Sequence, residues 1–119
     1  MATTTLTTAD FDEKAAGEGI LLVDFWASWC GPCRSFAPVY ERSSEKHEDI
    51  VFGKVDTEAQ QDLAARFEIT SIPTIMAIRD GVIVFAQPGA LPEQSLESLI
   101  EQVRALDMDD VRSRLATKS

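Results

Sequence analysis

Cysteine is nearly absent from this chain: it has two among 119 residues. Two cysteines cannot build a disulfide framework, and a core of this size needs none. Histidine is scarcer still. A structural zinc site asks for four ligands, and Cys30, Cys33 and His47 do not supply them. Basic residues are outnumbered, 11 against 20 acidic, for a net charge of −9. That balance works against nucleic-acid phosphates and anionic lipid, so neither is expected as a partner. Long hydrophobic runs are missing too. The longest, Ile20 to Trp26, is broken by Asp24 and is far too short to span a bilayer. Met1 to Asp10 is threonine-rich and lacks the basic-then-apolar order of a signal peptide. A cytoplasmic monomer is the expectation.

What is present is enough apolar material for a core, 45% of residues, and a regular alternation of elements. Thr3 to Leu6 suits a short strand. Thr7 or Thr8 is placed to cap a helix with Asp10, Asp12 and Glu13 near its positive end. Gly17 and Gly19 end that helix. Ile20 to Trp26 is apolar on both faces apart from Asp24, the pattern of a central strand. From Cys33 to about His47, Phe36, Val39 and Tyr40 recur at helical spacing, with Pro38 expected to kink the helix. Its second half, Glu41 to Asp49, reads as a solvated charged segment.

Ile50 to Asp56 is the next strand, and Glu58 to Phe67 a short helix with Leu63, Ala64 and Phe67 inward. Thr74 to Arg79 and Val82 to Ala86 form a hairpin, since Asp80-Gly81 between apolar runs is a strong turn signal. Pro92 opens a helix that turns Leu96, Leu99, Ile100 and Val103 inward. The class is α/β: a mixed central sheet of about five strands with helices on both faces. Residues 1–106 form one domain. Residues 107–119 form an extension, either a helix capped by Asp107, with Met108, Val111 and Leu115 at helical spacing, or a frayed tail.

The chemistry sits at Trp29-Cys30-Gly31-Pro32-Cys33, between the central strand and the following helix. Two cysteines at this spacing can close into one small ring and open again. Cys30 lies where unpaired backbone N–H groups and the helix dipole favour an anion, so its pKa should fall. Cys33 lies one turn inside and should be less accessible. Cys30 therefore attacks first and Cys33 resolves. Two buried inert thiols are the alternative, disfavoured because a Gly-Pro turn at a helix start exposes rather than buries. Asp24, a carboxylate in an apolar strand, should have a raised pKa and could take the Cys33 proton. Alternatively it sits at a sheet edge or bonds to local backbone.

The run Val-Asp-Phe-Trp-Ala-Ser-Trp-Cys-Gly-Pro-Cys, Val23 to Cys33, resembles the thioredoxin family. So do Lys54 and Asp56, Ser71-Ile72-Pro73-Thr74, Asp80-Gly81 and Gly89-Ala90-Leu91. The resemblance implies the thioredoxin fold and a protein-disulfide reductase with Cys30 and Cys33 as its redox-active pair. It implies that Asp24 is the family's buried carboxylate and Lys54 its partner, although an ordinary strand-surface lysine is the plainer reading of Lys54. It implies a cis Ile72-Pro73 bond, which the base rate for X-Pro bonds alone would not. The groove it implies is apolar, formed by Trp29, Ile72, Pro73, Gly89 and Ala90, and Trp29 could equally be core. Implied partners are disulfide-containing substrate proteins and an NADPH-dependent thioredoxin reductase, with no cofactor or metal of its own. Two rivals stand beside this: a disulfide isomerase or oxidase of the same fold, and a non-catalytic binding scaffold. The family commonly lacks proline at the position of Pro88, which removes a backbone donor at the groove rim. Arg34 stands where many members have lysine.

Overall fold

A computed structural model describes residues 2–117. Met1 and the last two positions of the 107–119 extension lie outside the described residues. The elements in order are β1 (Thr3–Thr5), α1 (Phe11–Ala15), β2 (Ile20–Trp26), α2 (Gly31–Lys46) and β3 (Val51–Asp56). Then come α3 (Gln61–Arg66), β4 (Thr74–Arg79), β5 (Val82–Pro88), α4 (Glu93–Ala105) and α5 (Met108–Thr117).

The five strands form one sheet in the order β1-β3-β2-β4-β5. β3 runs parallel to both β1 and β2, while β4 is antiparallel to β2 and β5. β2 is therefore central, and its alternating side chains feed two cores. Leu22 joins Phe36, Tyr40, Phe52, Leu96 and Ile100 on the face covered by α2 and α4. Leu21, Val23 and Phe25 join Phe11 and Leu63 on the α1 and α3 face. The β4–β5 turn puts Asp80 (φ 51°) and Gly81 (φ 82°) in the left-handed region that a two-residue hairpin turn requires. Among the described residues no helix is long and apolar enough to cross a membrane.

Two local expectations are corrected. The N-cap of α1 is Asp10, not Thr7 or Thr8. The Asp10 carboxylate accepts from the Thr7 N–H (2.7 Å) and hydroxyl (3.1 Å), and Thr8 is drawn away to Gln60 Oε1. The second half of α2 is not simply solvated, because α4 packs across it and buries Ser43 and Ser44. The Ser43 hydroxyl bonds to the Glu97 carboxylate, and Ser44 donates back to the Glu41 carbonyl (2.6 Å). His47 joins this seam: Nε2 meets Glu97 Oε1 at 2.7 Å and Nδ1 meets Arg104 at 3.1 Å. α2 continues through Pro38 as a single helix.

Within the described residues the extension is helical from Met108 to Thr117. Asp107 Oδ1 accepts the backbone N–H groups of Asp109 and Asp110, and Met108 is buried. Arg79 ties the α4–α5 connection to the sheet. Its guanidinium donates to the carbonyls of Val103 (2.8 Å), Arg104 (3.1 Å) and Leu106 (2.7 Å). The Val103 carbonyl also accepts the Leu106 N–H at 3.4 Å, so Arg79 adds to the partners available at this helix end.

Candidate active site

β2 delivers the chain to the site, and the turn after it ends at the N-cap of α2. That N-cap is Cys30, in extended conformation (φ −85°, ψ 114°), with Gly31 and Pro32 as the first helical residues. Proline is tolerated there because its missing N–H would have had no helical partner. The Cys33 N–H donates to Cys30 Sγ at 3.2 Å, so the sulfur occupies the place of a capping oxygen. Cys30 and Cys33 are joined as a disulfide. Gly31, Pro32 and Trp29 are exposed around the ring.

The accessibility contrast expected between the two sulfurs is absent. Cys30 is 4% exposed and Cys33 3%. In the disulfide each sulfur covers the other, and Ala27, Trp26 and Ile72 pack around the pair. The asymmetry lies instead in the backbone: Cys30 accepts the helix N–H, and Cys33 supplies it.

Three further segments converge on the pair. The Ile72–Pro73 peptide is cis, and the Ile72 carbonyl oxygen stands 3.7 Å from Cys30 Sγ. The Gly89 N–H donates to the Pro73 carbonyl at 2.7 Å, which brings Gly89 and Ala90 alongside that turn. Trp29 is 64% exposed, so it is no core residue, and its indole N–H donates to Glu58 Oε1 at 3.0 Å. Arg34 reaches back to the Ser28 carbonyl (3.0 Å) and holds a cation against the turn.

Asp24 lies on the α2 face of β2, next to Lys54 of β3 and Ile75 of β4 in the strand registers. It is 1% exposed, and neither carboxylate oxygen has a hydrogen-bond partner. It is thus neither at a sheet edge nor tied to local backbone. Burial pushes its pKa up from 3.8 to about 7, against the pull of the Lys54 charge. Lys54 itself is only partly buried and lies 5.1 Å from the centre of the Trp26 ring. Tyr40 of α2 is fully buried nearby and donates its hydroxyl to the Gly53 carbonyl at 2.8 Å. Burial, reinforced by the Asp24 charge, raises the Tyr40 phenol well above its ordinary value.

The site is thus a buried disulfide at a helix N-cap, with a cis-proline turn against it and an unpartnered carboxyl in the strand below. The family model described as Thioredoxin matches residues 2–102. The chain belongs to the thioredoxin family. It is 56% identical over 115 residues to "Putative thioredoxin 2" of Streptomyces coelicolor, covering 97% of this chain and 86% of that one. It is 40% identical over 103 residues to the thioredoxin of Alicyclobacillus acidocaldarius, covering 86% and 98%. A solved structure of Plasmodium falciparum thioredoxin superposes with a TM-score of 0.78 at 36% identity, covering 84% of this chain and 98% of that one. Membership makes the protein a protein-disulfide oxidoreductase that works by thiol–disulfide exchange through the Cys30–Cys33 pair.

The sequence pointed to Cys30, Cys33, Asp24, Lys54, Trp29, Gly31, Pro32, Ile72, Pro73, Gly89 and Ala90. The structure gathers the cysteines, the turn residues and Ile72 directly, with Gly89 one hydrogen bond behind Pro73. Lys54 is adjacent to Asp24 in register, yet the two form no ion pair within 4 Å. Sequence reasoning missed Glu58, which anchors Trp29, and Thr74, which braces the cis-proline turn (hydroxyl to Ser71 carbonyl, 2.5 Å). Its only visible signal was that Thr74 closes the Ser71-Ile72-Pro73-Thr74 run.

Proposed function

We propose that the protein is a cytoplasmic reductase of protein disulfides that maintains cellular redox balance and is returned to its dithiol form by an NADPH-dependent thioredoxin reductase. The observation that carries this reading is the Cys30 sulfur seated as the N-cap of α2 and accepting the Cys33 N–H. In the reduced form that seat stabilises a thiolate, the only nucleophilic form of cysteine.

The Cys30 thiolate attacks one sulfur of a substrate disulfide. A Cys30–substrate bond forms, and the substrate's other sulfur leaves as thiolate. Cys33 then loses its proton to the Asp24 carboxylate, and its thiolate attacks Cys30 Sγ. The mixed disulfide breaks, the second substrate thiolate leaves, and the Cys30–Cys33 bond closes. Two electrons pass to the substrate. An acid with a pKa of about 7 can accept and return a proton near neutral pH. Lys54 keeps that value from climbing further. The exposed Trp29, together with Ile72, Pro73, Gly89 and Ala90, forms the surface on which an extended substrate segment docks. Residues 1–106 carry this activity, and residues 107–119 are an addition to it.

The test is insulin reduction with a Cys30→Ser control, followed by recharging with a thioredoxin reductase and NADPH. Turnover that survives Cys30→Ser removes Cys30 as nucleophile. Failure of any thioredoxin reductase to reduce the Cys30–Cys33 bond refutes the electron source. The measured potential against glutathione separates a reductase from an oxidase or isomerase of the same fold.

A further inference from the structure

The residues flanking Ile72 are pinned, and Ile72 is not. On one side the Thr74 hydroxyl folds back across Ile72 and Pro73 to donate to the Ser71 carbonyl at 2.5 Å. On the other side the Pro73 carbonyl accepts the Gly89 N–H at 2.7 Å. Thr74 itself is 7% exposed and held in the sheet between Phe25 of β2 and Pro88 of β5. Its hydroxyl is therefore presented from a rigid support. The Ile72 N–H has no hydrogen-bond partner among the described residues, and the Ile72 carbonyl points at Cys30 Sγ. One donor and one acceptor on a single residue are what an incoming extended strand pairs with.

We propose that Thr74 is a positioning residue for substrate recognition. Its hydroxyl clamps the Ser71 carbonyl and so fixes the Ile72 peptide in the orientation that pairs with the backbone of a polypeptide substrate. The proposal rests on the reductase reading and adds to it a determinant that favours polypeptide disulfides over small ones. Ser71 and Ile72 belong to no helix or strand, so the backbone here has no ladder to hold it. Without the clamp the loop samples orientations that must be frozen again on docking, which weakens binding without touching the sulfur chemistry.

The experiment compares Thr74→Val, which keeps the branched shape and removes the hydroxyl, with Thr74→Ser, which keeps the hydroxyl. Pre-reduced protein is mixed with excess insulin in a stopped-flow cell, and tryptophan fluorescence reports oxidation. The loss of one partly buried hydrogen bond predicts that Thr74→Val raises the half-saturating insulin concentration about five-fold, with the limiting rate within about two-fold of parent. Thr74→Ser should match the parent. With 5,5′-dithiobis(2-nitrobenzoate), a disulfide without a peptide backbone, all three should react within about two-fold of one another, since no strand pairing is at stake. Equal half-saturation for parent and Thr74→Val overturns the proposal. So does an equal loss on the small disulfide, or failure of serine to restore binding. If Thr74→Val is unfolded at the assay temperature, Thr74→Ala, which also lacks the hydroxyl, decides: a raised insulin half-saturation with an unaltered small-disulfide rate upholds the clamp, and parent-like half-saturation overturns it. A parent that reduces neither disulfide overturns the reductase reading and this proposal together. A parent that reduces both while Thr74→Val is unaltered overturns this proposal alone.

Discussion

Asp24→Asn should remove most of the pH dependence of stability between pH 5 and pH 8. In the folded protein the carboxyl titrates at about 7, against 3.8 for its ordinary value. An acid whose folded pKa is raised binds its proton more tightly folded than unfolded. Stability therefore falls as pH rises from the unfolded value to the folded one, and levels off above it. At about 1.36 kcal/mol per pH unit, ionising buried Asp24 costs roughly 4 kcal/mol at pH 8. About 1.5 kcal/mol of that is already present at pH 5, where the unfolded chain is ionised and the folded carboxyl is not. The parent should thus lose about 2.5 kcal/mol between pH 5 and pH 8.

The asparagine variant keeps the shape and cannot ionise. Its amide remains unpaired at a cost of about 1–3 kcal/mol, but that cost does not change with pH. Urea denaturation of the oxidised protein at several pH values reads the effect. The parent midpoint should drop by about 1–2 M relative to the variant across this window. Taking the difference between the two proteins cancels the titration of every group distant from Asp24. Parallel curves from pH 5 to pH 8 would show that Asp24 is not held protonated by its burial, and the proposed proton acceptor would lose its physical basis.

Other consequences are equally open to measurement. Asp24→Asn should leave the first attack on a substrate disulfide nearly unchanged and slow release of the mixed disulfide, which trapping kinetics resolve; equal rates for variant and parent discard the proton role. Lys54→Gln removes the charge that opposes burial at Asp24, so the Asp24 carboxyl, followed by carbon-13 NMR, should titrate above its parental value, and an unmoved titration would show that Lys54 does not act on it. Ending the chain at Leu106 removes α5 but spares Arg79 its acceptors on Val103 and Arg104. Insulin reduction should stay within about two-fold of parent while stability falls by about 1–3 kcal/mol, the usual range for losing one modest packed contact such as Met108. A loss of activity in that truncated protein would make residues 107–119 part of the functional unit.

What the sequence disclosed, and what it hid, follows from how far each feature reaches. β2 was legible from Ile20 to Trp26 because a strand covered on both faces must be apolar on both. Asp24 stood out for the same reason, as the one polar residue that such burial does not tolerate cheaply. α4 was legible because Leu96, Leu99, Ile100 and Val103 fall on one helical stripe. Ser43 and Ser44 were not, since small polar residues carry no periodic signal; Ser43 finds its partner on α4, in Glu97, and Ser44 bonds back to the Glu41 carbonyl. Thr74 is a harder case. Its hydroxyl acts over three residues, but its acceptor is a backbone carbonyl in a loop without regular structure, which no side-chain pattern marks. The same applies to Cys30. Its position before Gly31 and Pro32 placed it at a helix cap, but the disulfide and the packing of Ile72 and Trp26 determine how little of it meets solvent. The chemistry of the site is thus written in local spacing, whereas access to it also depends on Ile72, which only the fold brings against Cys30.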